Sequence, residues 1–89
     1  MKIAVIGLGY VGLPLTRAFV DAGYRTMGFD VDQAKVEKLL AGKSYIGHID
    51  SNWIAACIRT EKFTPTSDMR RLAEADALLN PPRRKDWEL

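Results

Sequence analysis

Three glycines close to the amino terminus have the spacing of a phosphate-binding turn. Gly7, Gly9 and Gly12 form a G-x-G-x-x-G motif between a predicted strand, Lys2–Ile6, and a predicted helix. In such a turn the first glycine permits a sharp bend, the second lets the backbone approach a pyrophosphate, and the third lets the helix pack tightly on the strand. The start of the helix offers N–H groups and a partial positive charge to the phosphates. The pattern indicates dinucleotide binding.

Asp30 is the second residue that could take part in this chemistry. It ends the next predicted strand, Arg25–Phe29, at about 20 residues beyond the glycines, where a carboxylate binds the adenosine ribose. A carboxylate there repels a 2′-phosphate, so the pattern favours NAD over NADP. A strand-end Asp can also cap a helix, but Asp32, directly before the predicted helix Gln33–Ala41, fits that role better.

Other chemistries lack residues at suitable spacing. A P-loop would require Gly-Lys-Ser or Gly-Lys-Thr after its glycines, and Gly12-Leu13-Pro14 does not supply it. One cysteine, Cys57, excludes an internal disulfide framework, and one histidine, His48, has no partners at metal-ligand spacing. We interpret Cys57 as a core residue and His48 as a surface residue. No catalytic or metal-binding residue is predicted.

The composition limits the possible partners and surroundings. The 89 residues allow at most one small domain, and a hydrophobic fraction of 47% is typical of a folded chain. A net charge of +2 is too small to indicate a nucleic-acid partner, and we interpret the basic run 83–85 as a solvated tail. No apolar run approaches the length of a membrane span, and no signal-peptide pattern is present. We expect a cytoplasmic protein with no membrane partner.

The remaining pattern alternates strands and helices. A third strand is predicted at Phe63–Thr66, and a fourth begins at Ala77 and is cut off by Asn80-Pro81-Pro82. Alternation of this kind predicts an α/β fold with a parallel sheet. We expect a partial Rossmann-type doubly wound sheet of three strands plus a truncated fourth, with flanking helices.

Each predicted helix has an apolar face and recognisable ends. The first ends at Gly23, and its predicted inward residues are Val11, Leu15, Ala18, Phe19 and Ala22. The second ends at Gly42, with Val36, Leu39 and Leu40 inward. The third is predicted to be capped by Ser51, with Trp53, Ile54, Cys57 and Ile58 on one side, and Asp68 is predicted to cap a short fourth helix.

Three segments together resemble the UDP-glucose/GDP-mannose dehydrogenase family. They are Gly-Leu-Gly-Tyr-Val-Gly-Leu-Pro-Leu at 7–15, Gly-Phe-Asp-Val-Asp at 28–32 and Ala-Gly-Lys-Ser-Tyr-Ile at 41–46. The resemblance covers residues 1–79, and the segment 45–49 is similar to the branch that oxidises UDP-N-acetylhexosamines. Members of the family oxidise the C6 alcohol of a nucleotide sugar to a carboxylate and reduce two NAD. β-Hydroxyacid dehydrogenases share the glycine turn and are the alternative family.

The resemblance implies a set of cofactor-binding residues. It assigns the ribose to Asp30 and the adenosine side to Lys35. An equally good interpretation of Lys35 is a solvated lysine on the surface of a helix. It assigns the pyrophosphate to Gly7, Leu8, Gly9, Tyr10, Val11 and Gly12.

The sequence departs from the family after residue 79. The family continues its fourth strand through an Ile-Cys-Val-Pro-Thr-Pro-like segment, whereas this chain has Asn80-Pro81-Pro82 and a polar tail over 80–89. Cys57 does not match the family's cysteine nucleophile motif. We therefore expect the N-terminal half of an NAD-binding domain, catalytically incomplete alone, with a UDP-sugar as substrate only in a full-length enzyme.

The shortened fourth strand suggests a further role. In the doubly wound order the first strand lies between the second and the fourth, so a short fourth strand would leave the apolar edge Ile3–Ile6 largely unpaired. Such an edge predicts a homo-oligomer formed through strand pairing. A non-catalytic, self-associating fragment is therefore a second functional hypothesis.

Overall fold

Four short strands form a parallel sheet with the first strand inside it. A computed structural model describes residues 1–81. The strands are β1 (Lys2–Ile6), β2 (Arg25–Phe29), β3 (Phe63–Thr66) and β4 (Ala77–Leu79), in the spatial order β3-β2-β1-β4. All three neighbouring pairs are parallel. The predicted α/β class, the strand bounds and the position of β1 between β2 and β4 are confirmed.

Three α-helices and one 3₁₀ helix connect the strands. They are α1 (Gly12–Asp21), α2 (Gln33–Leu40), α3 (Ser51–Arg59) and the 3₁₀ helix Met69–Glu74. Aspartates begin three of them: Asp32, Asp50 and Asp68 each accept a hydrogen bond from the backbone N–H two residues on. The predictions for Asp32 and Asp68 are confirmed. Ser51 is not the cap of α3, because its hydroxyl instead accepts from the Ser44 N–H at 2.9 Å.

The main hydrophobic core lies between the sheet and the helices. Its fully buried members include Leu8, Leu13, Leu39, Ile54 and Phe63. Cys57 belongs to the same cluster and His48 is exposed, as predicted. Leu40, predicted to face inward, is 52% exposed because α2 directs only Val36 and Leu39 inward.

The buried face of α1 differs from the predicted one. It consists of Gly12, Leu13, Thr16 and Val20, whereas Ala18 and Ala22 are exposed. The face that contains Gly12 is turned inward, and a Cβ on this glycine would lie 1.6 Å from the carbonyl oxygen of Gly7, the residue after β1. Thr16 is accepted there because its hydroxyl donates to the Gly12 carbonyl at 2.8 Å. The apolar periodicity alone therefore gave the wrong face.

β1 does not form the largely unpaired edge that the sequence predicted. Ile3, Ala4 and Val5 of β1 pair with β4 on one side and with β2 on the other. The hydrogen bond from the Asp76 N–H to the Lys2 carbonyl, at 2.8 Å, joins the start of β4 to β1. The prediction of a largely unpaired β1 edge is wrong, because three residues of β4 are enough to cover it. Among residues 1–81, the edge strands of the sheet are β3 and β4.

Candidate functional site

A cleft of about 420 Å³ opens where β1, β2 and β4 end. Parallel strands bring their carboxyl ends to one edge of the sheet, so residues distant in sequence meet there. Seven of the eight predicted cofactor-binding residues line this cleft: Gly7, Gly9, Tyr10, Val11, Gly12, Asp30 and Lys35. The cleft is therefore the place where the predicted chemistry could occur.

The glycine turn that forms one wall needs glycine at two positions for different reasons. Gly7 has φ +95°, a conformation that side chains disfavour, and its N–H donates to the Phe29 carbonyl at 2.7 Å. A Cβ on Gly12 would lie 1.6 Å from the Gly7 carbonyl oxygen. The turn and the helix can therefore come together only without side chains there.

Gly9 differs from both of these glycines. A Cβ built on it has no atom within 4 Å, so no contact of the protein itself requires glycine at this position. Within residues 1–81, no acceptor receives the N–H of Gly9 or of Val11. The turn thus presents open space and available donors towards the cleft, an arrangement that suits an anion.

Asp30 forms the opposite wall and also holds the turn in place. Its Oδ2 accepts from the Leu8 N–H and its Oδ1 accepts from the Asp32 N–H, each at 2.9 Å. Each carboxylate oxygen can accept a further hydrogen bond. The carboxylate can therefore fix the glycine turn and still accept from a hydroxyl group in the cleft.

Leu8 is the one predicted site residue that does not line the cleft. Its side chain is fully buried in the main core, where its methyl groups would lie within 3.0 Å of a Cβ on Gly28. Its N–H donates to Asp30 and its carbonyl accepts from the Tyr45 hydroxyl at 2.5 Å. Both polar groups of its backbone thus have a partner inside the protein, and a contact of Leu8 with a bound molecule stays a prediction.

Lys35 reaches the cleft from α2 across an aromatic ring. Its Nζ lies 5.9 Å from the centroid of the Tyr45 ring, within the range of a cation–π contact. Burial, with a smaller effect of Asp30 and Asp32, raises the pKa of the Tyr45 hydroxyl above its ordinary value. That hydroxyl therefore remains a hydrogen-bond donor at neutral pH.

Other cleft residues were not predicted from the sequence. Val31 follows Asp30 and is 78% exposed at the cleft. Ile6, Phe29, Asn80 and Pro81 also line it. Their signal is positional: a residue that ends β1, β2 or β4 must reach this edge once the strand order is known. The segment 82–89, which holds the rest of the predicted tail and its basic run, lies outside the described residues.

Cys57 lies away from the cleft, in the core. Burial is the main cause that raises the pKa of its thiol, and Asp21 raises it further. A protonated, buried thiol is a poor nucleophile. Among residues 1–81, no helix combines the length and apolar character needed to cross a membrane.

A parallel sheet with a glycine turn after its first strand and a carboxylate after its second defines the class of Rossmann-type dinucleotide-binding proteins. Comparison with known proteins narrows this class. Residues 1–81 match the UDP-glucose/GDP-mannose dehydrogenase family, NAD binding domain. The chain belongs to this family, and the part it contains lies in the family's NAD-binding domain.

Individual relatives agree with this assignment. A UDP-N-acetyl-D-mannosamine dehydrogenase of Pyrococcus horikoshii is 41% identical over 46 residues, which are 52% of this chain and 11% of that protein. The structure of a UDP-D-ManNAc dehydrogenase of Pyrococcus horikoshii matches with a TM-score of 0.81 and 27% identity, over 91% of this chain and 20% of the other.

A second solved structure gives the same result. An NDP-N-acetyl-D-galactosaminuronic acid dehydrogenase of Methanosarcina mazei matches with a TM-score of 0.78 and 31% identity, over 92% of this chain and 19% of the other. The chain therefore spans about a tenth to a fifth of the length of these relatives.

Proposed function

We propose that the cleft binds the ADP part of NAD. The observation that supports this most directly is that the glycine turn and Asp30 face one cleft and are joined by the hydrogen bond from the Leu8 N–H to Asp30. The pyrophosphate would accept from the N–H groups of Gly9 and Val11. The adenosine ribose would donate to the Asp30 carboxylate, which is a poor neighbour for a 2′-phosphate.

Lys35 is proposed to contribute on the adenosine side. Lys35 lines the cleft, and its ammonium group lies 5.9 Å from the centroid of the Tyr45 ring. A cation there would attract the negatively charged cofactor. Tyr10, which is 65% exposed on the glycine turn, would contribute through its backbone.

Calorimetry on the 89-residue chain tests this function. We expect NAD and ADP-ribose to bind with similar affinity, because the proposed contacts involve only their shared part, and NADP to bind roughly tenfold or more weakly. Asp30→Asn should reduce the preference for NAD over NADP, since it removes the negative charge. An absence of binding by NAD and ADP-ribose, or equal affinity for NADP in the unmodified chain, would contradict the proposal.

We further propose that the chain is the cofactor-binding part of a nucleotide-sugar 6-dehydrogenase that acts in the cytoplasm. The relatives described above are dehydrogenases of nucleotide sugars. Oxidation of an alcohol to an acid requires a base and a nucleophile, and the one cysteine of the chain is buried in the core. The 89-residue chain should therefore give no NAD reduction with UDP-sugars. Turnover in that assay would contradict this part of the proposal.

Self-association is a second candidate function, and the exposed edge favours it. β4 is one of the two edge strands within residues 1–81, and its Leu78 is 54% exposed. An apolar edge strand can pair with a second copy, although a strand of three residues offers few hydrogen bonds. Light scattering over a range of concentrations should show a dimer that Leu78→Lys abolishes. A monomer at every concentration would exclude this role.

A further inference from the structure

The loop between α2 and α3 contacts the glycine turn from the side of the core. Tyr45, in this loop, donates its hydroxyl proton to the Leu8 carbonyl at 2.5 Å, across 37 residues of sequence. The donor is held in turn by its surroundings, because Ser44 caps the loop with hydrogen bonds to both polar backbone groups of Ile46. The loop therefore has a defined shape where it meets the turn.

The peptide that Tyr45 contacts is the one that also carries the Gly9 N–H. A trans peptide is planar, and its C=O and N–H groups point in opposite directions. The Leu8 carbonyl is bound to Tyr45, so the Gly9 N–H points away from Tyr45, and Gly9 lines the cleft. A hydrogen bond accepted by the carbonyl also polarises the peptide and makes its N–H a stronger donor.

The preceding peptide is held independently. The Leu8 N–H donates to Asp30 at 2.9 Å, and the Leu8 side chain is fully buried. The hydrogen bond to Asp30 and the buried side chain fix Leu8, but they do not fix the Leu8–Gly9 peptide. Rotation of that peptide would have to break the hydrogen bond from the Tyr45 hydroxyl. Tyr45 is thus the contact that determines the direction of the Gly9 N–H.

The same ring holds a second group of the cleft. The Lys35 Nζ lies 5.9 Å from its centroid, so the ring face and the hydroxyl act on two different walls. Burial, and to a smaller extent the nearby Asp30 and Asp32, raise the pKa of the hydroxyl and keep it protonated. One side chain therefore connects Lys35, the glycine turn and the loop.

We propose that Tyr45 is a positioning residue for cofactor binding: its hydroxyl holds the Leu8–Gly9 peptide with the Gly9 N–H towards the cleft, and its ring places the Lys35 ammonium group. This inference rests on the proposed binding of NAD in the cleft. It adds a determinant of that binding that lies outside the glycine motif and does not itself line the cleft.

Tyr45→Phe separates the hydroxyl from the ring, and Tyr24→Phe is its matched control. Tyr24 is 40% exposed and packs edge-on against Phe19 at 6.1 Å, away from the cleft. We expect Tyr45→Phe to remain folded in urea titrations, to shift the Gly9 amide resonance without any ligand, and to bind NAD roughly fivefold more weakly. Tyr24→Phe should leave the Gly9 resonance and the affinity unchanged.

Tyr45→Leu removes the ring as well, and should weaken NAD binding more than Tyr45→Phe does. Its loss should become smaller in high salt, because part of it comes from the Lys35 charge. Unchanged NAD affinity in folded Tyr45→Phe, or an unmoved Gly9 resonance, would overturn the inference while leaving the proposed function intact. No binding of NAD by the unmodified chain would instead overturn the proposed function, and the cofactor role of Tyr45 with it.

Discussion

The Gly7 carbonyl oxygen occupies the space where a Cβ of Gly12 would be, 1.6 Å from its ideal position. The two residues lie at opposite ends of the turn, so this contact measures how tightly the turn is folded against the start of α1. Because the obstacle is backbone on both sides, no side-chain rotation can relieve it. The closed turn therefore depends on the absence of one methyl group.

Gly12→Ala should destabilise the fold strongly. The added methyl group must push α1 away from the turn, and overpacking of this kind costs about 3 kcal/mol at the upper end of its usual range. A domain of this size has a small margin of stability, so we expect a large loss of the free energy of unfolding in urea, followed by circular dichroism. A variant as stable as the unmodified chain would show that α1 can move freely.

Gly9→Ala should leave the stability of the fold almost unchanged and weaken the binding of NAD. Its Cβ meets no atom within 4 Å, so the free energy of unfolding should change by less than about 1 kcal/mol. The methyl group would occupy space in front of the Gly9 N–H, and NAD should bind roughly tenfold or more weakly in calorimetry.

Gly47→Ala is the matched control for this variant. Gly47 also has open space around its Cβ position, has no positive φ, and lies outside the cleft. It should leave both stability and NAD affinity unchanged. Equal affinity of the Gly9→Ala variant and the control would place the cofactor away from this turn.

The local sequence was sufficient to predict the strands of the sheet and to place Gly7 and Asp30 in one site. Strand bounds followed from short apolar runs, and the strand order followed from the glycine motif, because a motif of this kind occurs at a fixed place in a doubly wound sheet. Gly7 and Asp30 could be assigned to one site for the same reason. Both end neighbouring parallel strands, so the topology alone brings them together.

Features that depend on tertiary contacts could not be predicted in this way. The buried face of α1 contains Gly12, where the Gly7 carbonyl oxygen leaves no room for a Cβ, whereas the apolar periodicity pointed to Ala18 and Ala22. The choice of Asp50 over Ser51 as a cap depends on the Ser44 N–H, which the loop brings to the Ser51 hydroxyl. Asp50 and Ser51 are adjacent and both are good N-cap residues, so the sequence alone does not decide between them.

Alkaline pH should weaken the fold through two acids, the buried Cys57 thiol and the partly buried Tyr45 hydroxyl. Burial is the first cause that raises the pKa of both the Cys57 thiol and the Tyr45 hydroxyl. Above about pH 9 the unfolded chain loses these protons more readily than the folded chain. The unfolded state then binds fewer protons, so the free energy of unfolding decreases as pH rises.

Urea denaturation at a series of alkaline pH values measures this effect. Tyr45→Phe and Cys57→Ala should each make the decline with pH less steep, whatever their stability at neutral pH. Tyr24→Phe, the same substitution at an exposed tyrosine, is the control. An identical decline in all four proteins would assign the alkaline effect to other groups.

Acid should weaken the 3₁₀ helix Met69–Glu74, which precedes β4. Here the stability decreases as pH falls. A hydrogen bond from Arg70 is the main cause that lowers the pKa of Asp68, and hydrogen bonds from Arg71 and then Lys2 lower the pKa of Glu74. Carboxyl groups whose pKa is lowered in the folded state stabilise it fully above their ordinary pKa, near about 4. The stabilisation is lost as pH falls through the lowered values, because the unfolded chain then binds more protons.

Asp68→Asn and Glu74→Gln test the two groups separately in thermal unfolding between neutral and acid pH. Asparagine is also a good N-cap, so Asp68→Asn should preserve the start of the 3₁₀ helix at neutral pH and remove only its pH dependence. Glu74→Gln should remove the pH dependence of the contact with Lys2. In this contact the Lys2 Nζ lies 3.3 Å from the Glu74 Oε1 and joins the 3₁₀ helix to β1. Since both carboxylates are exposed to solvent, added salt should reduce the acid effect in the unmodified chain. An acid decline that neither substitution alters would mean that these ion pairs do not contribute to the stability of the sheet edge.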